Sequence, residues 1–312
     1  MKKWVCVKVP ASTSNLGPGF DVLGLALGLY NEVELEIVNR VSGKNGSRLE
    51  IEIEGEGKNS LPRDERNLIW KAALKTFHQL KFATGRFGFR LKAKNRIPLA
   101  RGLGSSAAAI LAGSLAANAL AHNKLSKDEI LKLAVGMEGH PDNLAAQLFG
   151  GFCIADAIGD GIDVIKLKPP KHFVAVLCVP EFELSTKIAR KALPPKIPHR
   201  DGVANVGRIA LFLGKLFSGE FKNLKAVMED RLHQPYRKHL IPGFDLAVEK
   251  GYQAGAHGVA LSGAGPSIFA FAEPSKADRV GTAMEKGFSA ARIKAKSLVL
   301  DFDLKGAETA SR

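Results

Sequence analysis

The sequence predicts an α+β chain in two domains, residues 1–164 and 165–312, and three observations carry that reading. Strand and helix signals interleave through the first half. The pattern restarts after the turn Gly159-Asp160-Gly161, and the last third follows a βαβ-type order. Alternating apolar residues predict strands over 5–9, 30–38, 49–53 and 87–93, and a 3.6-residue period with Asn67 at its head predicts a helix over 67–80. Residues 107–121 are nearly all small or apolar and read as a buried helix. Ser126 caps a helix over 127–137, and a short helix ends at Gly150-Gly151 before a strand over 152–156. The second half opens with an apolar strand over 173–179 and the proline-rich loop Leu193-Pro194-Pro195-Lys196-Ile197-Pro198. Helices follow over 203–217 and 223–231, then helix 244–253, strand 258–262, strand 267–272, helix 277–287 and strand 295–302. No internal repeat interrupts this order.

Composition excludes several classes. With 46% hydrophobic and 24% charged residues over 312 positions, the chain is neither disordered nor fibrous. The start, Met1-Lys2-Lys3-Trp4-Val5-Cys6-Val7-Lys8-Val9, alternates too quickly for a signal-peptide core, and no apolar run reaches membrane-spanning length, so a cytoplasmic protein without membrane contact is expected. Cys6, Cys153 and Cys178 are odd in number, far apart and set among apolar residues, which supports neither a disulfide framework nor a zinc site. The net charge of +14 points to anionic partners. Lys and Arg are dispersed, however, and only 7% of residues are aromatic, so nucleic acid fits less well than a phosphorylated small molecule.

The run Pro98-Leu99-Ala100-Arg101-Gly102-Leu103-Gly104-Ser105-Ser106-Ala107 joins a glycine-broken turn, two hydroxyls and a helix start. Gly102 and Gly104 let backbone N–H groups converge on a ligand, and the helix adds free N–H groups and the positive end of its dipole, so the run reads as a phosphate cradle. Capping of the helix by Ser105 or Ser106 is the alternative. A P-loop needs a Lys that is missing here, and a dinucleotide fingerprint needs a strand running into the first glycine, which Pro98 breaks.

Three further constellations accompany it. Residues 10–24 turn through Asn15, Gly17, Gly19 and Asp21. Glu138-Gly139-His140-Pro141-Asp142-Asn143 packs two carboxylates, an imidazole and an amide into six positions, more than helix capping by Asp142 requires. Ser262-Gly263-Ala264-Gly265-Pro266-Ser267 is a strand–turn–strand with close backbone approach, although hairpin glycines alone explain many such turns.

In this order over about 300 positions, the glycine-rich entry, the GLGSSA loop and the late SGAGPS turn resemble the GHMP kinase superfamily of small-molecule kinases. The resemblance extends through 184–194 and 230–237, and it is to the branch whose acceptor is the amino acid L-homoserine. It implies a ribosomal-S5-domain-2-like first domain with a left-handed βαβ unit, against the usual rule for crossovers. It also implies a ferredoxin-like second domain, an active site between the two, and a homodimer. ATP phosphates are expected on Pro98 to Ala107, with Mg²⁺ on Ser106 and Glu138, whose hard oxygens suit it. Arg190 and Arg237 correspond to the clamp for the acceptor's carboxylate, assisted by Thr186 and His140, while Asn15 and Asp21 correspond to contacts with its other end. Asp142 occupies the motif in which relatives place a general base. Positioning without a base, with Asn143 orienting the hydroxyl and Asp21 nearby, is the competing view. Another acceptor, such as mevalonate or shikimate, and a non-catalytic nucleotide- or RNA-binding relative are the alternative functions.

Overall fold

The computed structural model describes residues 3–38 and 48–311; Met1 and Lys2 of the expected N-terminal run lie outside them. The chain builds two sheets. The first has seven strands, in the order β11-β1-β2-β4-β3, with β5 on β2 and β6 on β5. Its members are β1 (Trp4–Asn15), β2 (Gly19–Val38), β3 (Leu49–Gly55), β4 (Gly88–Asn95), β5 (Phe152–Ile158), β6 (Gly161–Leu167) and β11 (Glu308–Ser311). The second is β10-β7-β9-β8, from β7 (Val174–Pro180), β8 (Gly258–Leu261), β9 (Ile268–Ala272) and β10 (Ala295–Leu300). All its pairings are antiparallel, and with helices between β7 and β8 and between β9 and β10 this is the ferredoxin-like order.

β3 and β4 pair in parallel around α1 (Leu68–Gln79). Asn67 starts that helix by accepting from the N–H groups of Ile69 and Trp70, and Ile69, Trp70, Ala73 and Phe77 fall on its buried face. α2 (Ser105–Leu120) is buried on nearly every side, which is why its sequence shows no polar face. Gly113 admits α1 at close range: a Cβ there would lie 2.1 Å from the Ile69 carbonyl oxygen. α3 (Lys127–Glu138) begins with a capping box of Ser126 and Glu129, and α4 (Asp142–Phe149) follows directly after the His140-Pro141 turn. The second half adds α5 (Thr186–Lys191), α6 (His199–Ser218), α7 (Leu224–Val227), α8 (Gln234–Arg237), α9 (Phe244–Gln253) and α10 (Ala277–Ala290). An apolar core runs through both sheets, with Phe152, Phe173, Phe212, Phe269 and Phe271 joining them, and a second packs the other face of β7, β8 and β9 against α9 and α10.

Several expectations shift. β1 continues past Val9 because Pro10, which lacks an N–H, sits at a register break rather than at a strand end. β6 was not expected; it contains the 164/165 boundary and closes a hairpin on β5. β11 was not expected either, and it returns the C-terminus to the edge of β1. The helix expected over 223–231 is only α7, because Asp230 caps a new turn by accepting from the N–H groups of Leu232, His233 and Gln234. Among the described residues no helix is long and apolar enough to cross a membrane.

Candidate active site

Between the sheets lies an open cleft, and six separate stretches of sequence meet in it. On one wall the segment 100–106 enters α2 with Gly102 at φ 72° and Gly104 at φ 71°, left-handed values that favour glycine. Among the described residues, no protein acceptor faces the N–H groups of Leu103, Gly104, Ser105, Ser106 and Ala107. Five successive free donors at a helix N-terminus attract an anion. At the lip of this wall the Ser106 hydroxyl donates to Glu138 Oε2 at 2.7 Å, so a hydroxyl and a carboxylate from α2 and α3 converge on one point.

The opposite wall is ionic. Asn15 and Asp21 both have left-handed backbone (φ 70° and 59°), which their short polar side chains tolerate, and Asn15 Oδ1 accepts from the Asp21 N–H. Arg190, from α5, forks onto both oxygens of Asp21 at 2.8 and 3.0 Å. Beside it Arg237 is only 1% exposed; it donates to the carbonyls of Ala189 and Gly263, and it has no carboxylate partner among the described residues. Burial, and then the Arg190 charge, push its guanidinium down to about 10, so it remains a cation at neutral pH. Phe20 lies beneath both guanidiniums and stacks on His233, which holds the Gly17 carbonyl through Nε2. Burial and the neighbouring Arg237 outweigh Asp230 and keep that imidazole below its usual pKa, hence neutral.

At the floor, Asp142 Oδ1 meets His140 Nδ1 at 2.8 Å and accepts from Asn143 N and Nδ2 at 2.6 and 3.1 Å. Burial alone would raise the Asp142 carboxyl, but His140 and the Asn143 N–H outweigh it and hold the group below the usual carboxylate range. Burial opposes charge on His140, and Asp142 again outweighs it, raising the imidazole. The Asn143 amide is engaged by protein: Oδ1 accepts from Ser12 and Nδ2 donates to Ser14 as well as Asp142. Asp21, His140 and Asp142 form the one cluster of potential metal ligands found among the described His, Cys, Asp and Glu groups. Two of them are each other's partner and the third holds Arg190, so they read as ion pairs.

The cleft brings together Asn15, Asp21, Glu138, His140, Asp142, Asn143, Thr186, Arg190, Arg237 and the loop from Ala100 to Ser106. Leu99 lines a neighbouring apolar cavity instead, Ala107 is packed in the core, and Pro98 lines neither space. That second cavity, about 380 Å³, opens beside Ser105 and Ser106 and is walled by Ile53, Leu61, Pro62, Leu68 and Ala93. Sequence reasoning missed it, since these residues look like ordinary core alternation. It also missed Ser12, Ser14 and Gln147, whose only signal was their place beside the motifs.

The sequence matches the description "GHMP kinases N terminal domain" over residues 67–151 and "GHMP kinases C terminal" over residues 212–290. The homoserine kinase of Carboxydothermus hydrogenoformans is 47% identical over 284 residues, covering 91% of this chain and 90% of that protein. The homoserine kinase of Persephonella marina is 45% identical, covering 96% of each. Among solved structures, homoserine kinase from Cytophaga hutchinsonii superimposes with a TM-score of 0.87 at 33% identity, covering 99% of this chain and 98% of that one.

Proposed function

The chain belongs to the GHMP kinases and to their homoserine kinase branch, and from that premise we propose how this cleft transfers phosphoryl from ATP to L-homoserine, giving O-phospho-L-homoserine. The observation that carries the acceptor assignment is Arg237: a buried cation with no carboxylate partner among the described residues is costly unless a ligand supplies one. Arg190 is held by Asp21, and a zwitterion can take that pair apart without loss. Its carboxylate goes to Arg190 and Arg237, and its ammonium goes to Asp21, with Asn15, Thr186 and His140 completing the pocket. A ligand with a carboxylate alone leaves Asp21 without its cation.

On the donor side the nucleotide phosphates lie on the free N–H groups of 103–107, and the adjoining apolar cavity takes the nucleoside. The Ser106 and Glu138 oxygens fit Mg²⁺ and would hold it; when bound, the ion offsets charge on the transferring phosphoryl group. The protein's own work is positioning. Asp142 is ill suited as a base because it is buried, kept ionised and already accepts three hydrogen bonds. We assign it to favouring the charged form of His140, whose Nε2 is left for the acceptor. Asn143 builds the floor, with both Nδ2 protons given to Ser14 and Asp142, while its Oδ1, which accepts from Ser12, keeps a second lone pair with which to orient the acceptor hydroxyl.

We also propose a homodimer through α6. Val203, Val206, Leu211 and Phe217 are exposed along it, with Gly207, Ala210 and Gly214 between them, and none carries a charge.

The test is kcat/KM by ADP release for homoserine, serine, threonine, mevalonate and shikimate side by side. Homoserine should lead, because serine and threonine place the hydroxyl about one methylene short and a misplacement of about 1 Å costs about 10²-fold. Preference for an acceptor without the zwitterion refutes the assignment.

A further inference from the structure

The phosphate loop is held from behind, and the holders come from three other parts of the chain. Ser262 Oγ donates to the Gly102 carbonyl at 2.7 Å, the Ser12 N–H donates to the Leu103 carbonyl at 3.2 Å, and Gln147 Nε2 donates to the Gly104 carbonyl at 2.8 Å. In a trans peptide the C=O and the following N–H point in opposite directions. Three successive carbonyls drawn into the protein therefore aim the N–H groups of Leu103, Gly104 and Ser105 outward, into the cleft.

Of the three holders, Gln147 is the anomalous one. It is wholly buried, and its Nε2 is consumed by Gly104 O and by Ser12 Oγ at 3.0 Å, while its Oε1 is buried with no partner. An unsatisfied amide oxygen destabilises the fold, and an apolar side chain of similar size would avoid that cost. Nor does the scaffold need the donor: Gly104 O already accepts from Ala108 N, and Ser12 Oγ already donates to Asn143. What Gln147 adds to the Ala108 bond is a second hold on the Gly104 carbonyl, from the side of the floor, which ties the Gly104–Ser105 peptide to Ser12. The gap it fills is tight, since a Cβ on Gly104 would come within 2.4 Å of Gln147 Nε2 and 2.3 Å of Ser12 Oγ.

We propose that Gln147 is a positioning residue for the nucleotide phosphates, setting the Ser105 N–H donor and tying the loop to the floor through Ser12 and Asn143. The proposal rests on the phosphates lying on this loop, as argued above. Gln147→Leu should raise the KM for ATP about tenfold, leave the homoserine KM within about twofold, leave competition by adenosine unchanged, and hold or raise Tm. A structural role would instead lower Tm and weaken ATP, adenosine and homoserine together. Should Gln147→Leu not fold, Gln147→Met is read the same way, and failure of both to fold overturns the proposal. An unchanged ATP KM in a folded variant also overturns it. The underlying reading is checked separately in the wild-type protein: ADP should shift the ¹⁵N–¹H resonances of Leu103, Gly104 and Ser105. If it does not, the nucleotide lies elsewhere and both fail; if it does and Gln147→Leu binds ATP normally, only the role of Gln147 fails.

Discussion

Asp142→Asn separates two roles for a buried carboxylate beside the proposed acceptor site. The Asp142 side chain is 2% exposed and that of His140 12%, so solvent screens their interaction little. An asparagine carbonyl in the place of Oδ1 still accepts from His140 and from Asn143, so geometry survives and charge is lost. A hydrogen bond to a charged group contributes about 1.5–3 kcal/mol and a neutral one about 0.5–1.5, which puts the stability loss at about 1–2 kcal/mol. The larger penalty of an orphaned buried charge, about 3–5 kcal/mol, does not arise, because His140 can give up its proton. The sign follows from the two shifts. His140 is raised above 6.5, so its contribution is full below that pH and fades as pH rises through the raised value. Asp142 is lowered below 3.8, so its contribution is present above that pH and fades as pH falls through the lowered value. The deficit of Asp142→Asn in urea unfolding should therefore be largest between pH 3.8 and 6.5 and shrink on either side. In steady-state kinetics kcat should fall about tenfold, against about 10²–10⁴-fold for loss of a general base. A folded variant that loses more than about 10³-fold, together with the acidic limb of its pH–rate profile, would refute positioning and make Asp142 the base.

Glu138→Gln keeps the shape of the Ser106 contact but removes the carboxylate, so kcat should drop well beyond any change in homoserine KM, and excess Mg²⁺ should recover part of it in a coupled assay. Arg190→Ala removes a forked, charge-assisted contact and strands Asp21; homoserine KM should rise about 10–100-fold, from about 1.5–3 kcal/mol, with ATP KM nearly unchanged. Gly113→Ala drives a Cβ to 2.1 Å from the Ile69 carbonyl oxygen, where backbone cannot yield, and should destabilise the fold by about 1–3 kcal/mol or more in denaturant titration. Val206→Asp places a charge on the apolar face of α6 and should leave a monomer by light scattering at unchanged circular dichroism; a wild-type monomer refutes the dimer.

The parts of this fold that sequence made legible are those whose local chemistry is one-sided. Asn67 and Ser126 start helices by side-chain caps, and α9 and α10 bury regular stripes, so their beginnings could be read directly. β11 has four exposed residues, Glu308 to Ser311, with no apolar alternation; only pairing with β1 makes it a strand, and pairing partners three hundred positions away leave no local trace. The site divides similarly. Glycines, acids and arginines in short motifs announced the cleft walls, whereas the adjoining apolar cavity is assembled from scattered residues of β3, β4, α1, α2 and the loops around them.

Charge explains why the cleft needs both walls. The proposed acceptor end gathers Arg190, Arg237 and a His140 whose pKa is raised, against Asp21 and an ionised Asp142, an excess of one positive charge below the His140 titration. A zwitterion brings no net charge and leaves that excess in place. The surplus then faces the loop whose free N–H groups also favour anions, so both walls favour negative charge at the point where the phosphoryl group must cross. An acceptor with a carboxylate and no ammonium would cancel the surplus and leave Asp21 opposing Asp142 without its cation. Selectivity for the amino acid and stabilisation of the transferring group are on this account one electrostatic arrangement, and raising the pH through the His140 titration should weaken transfer before it weakens ATP binding.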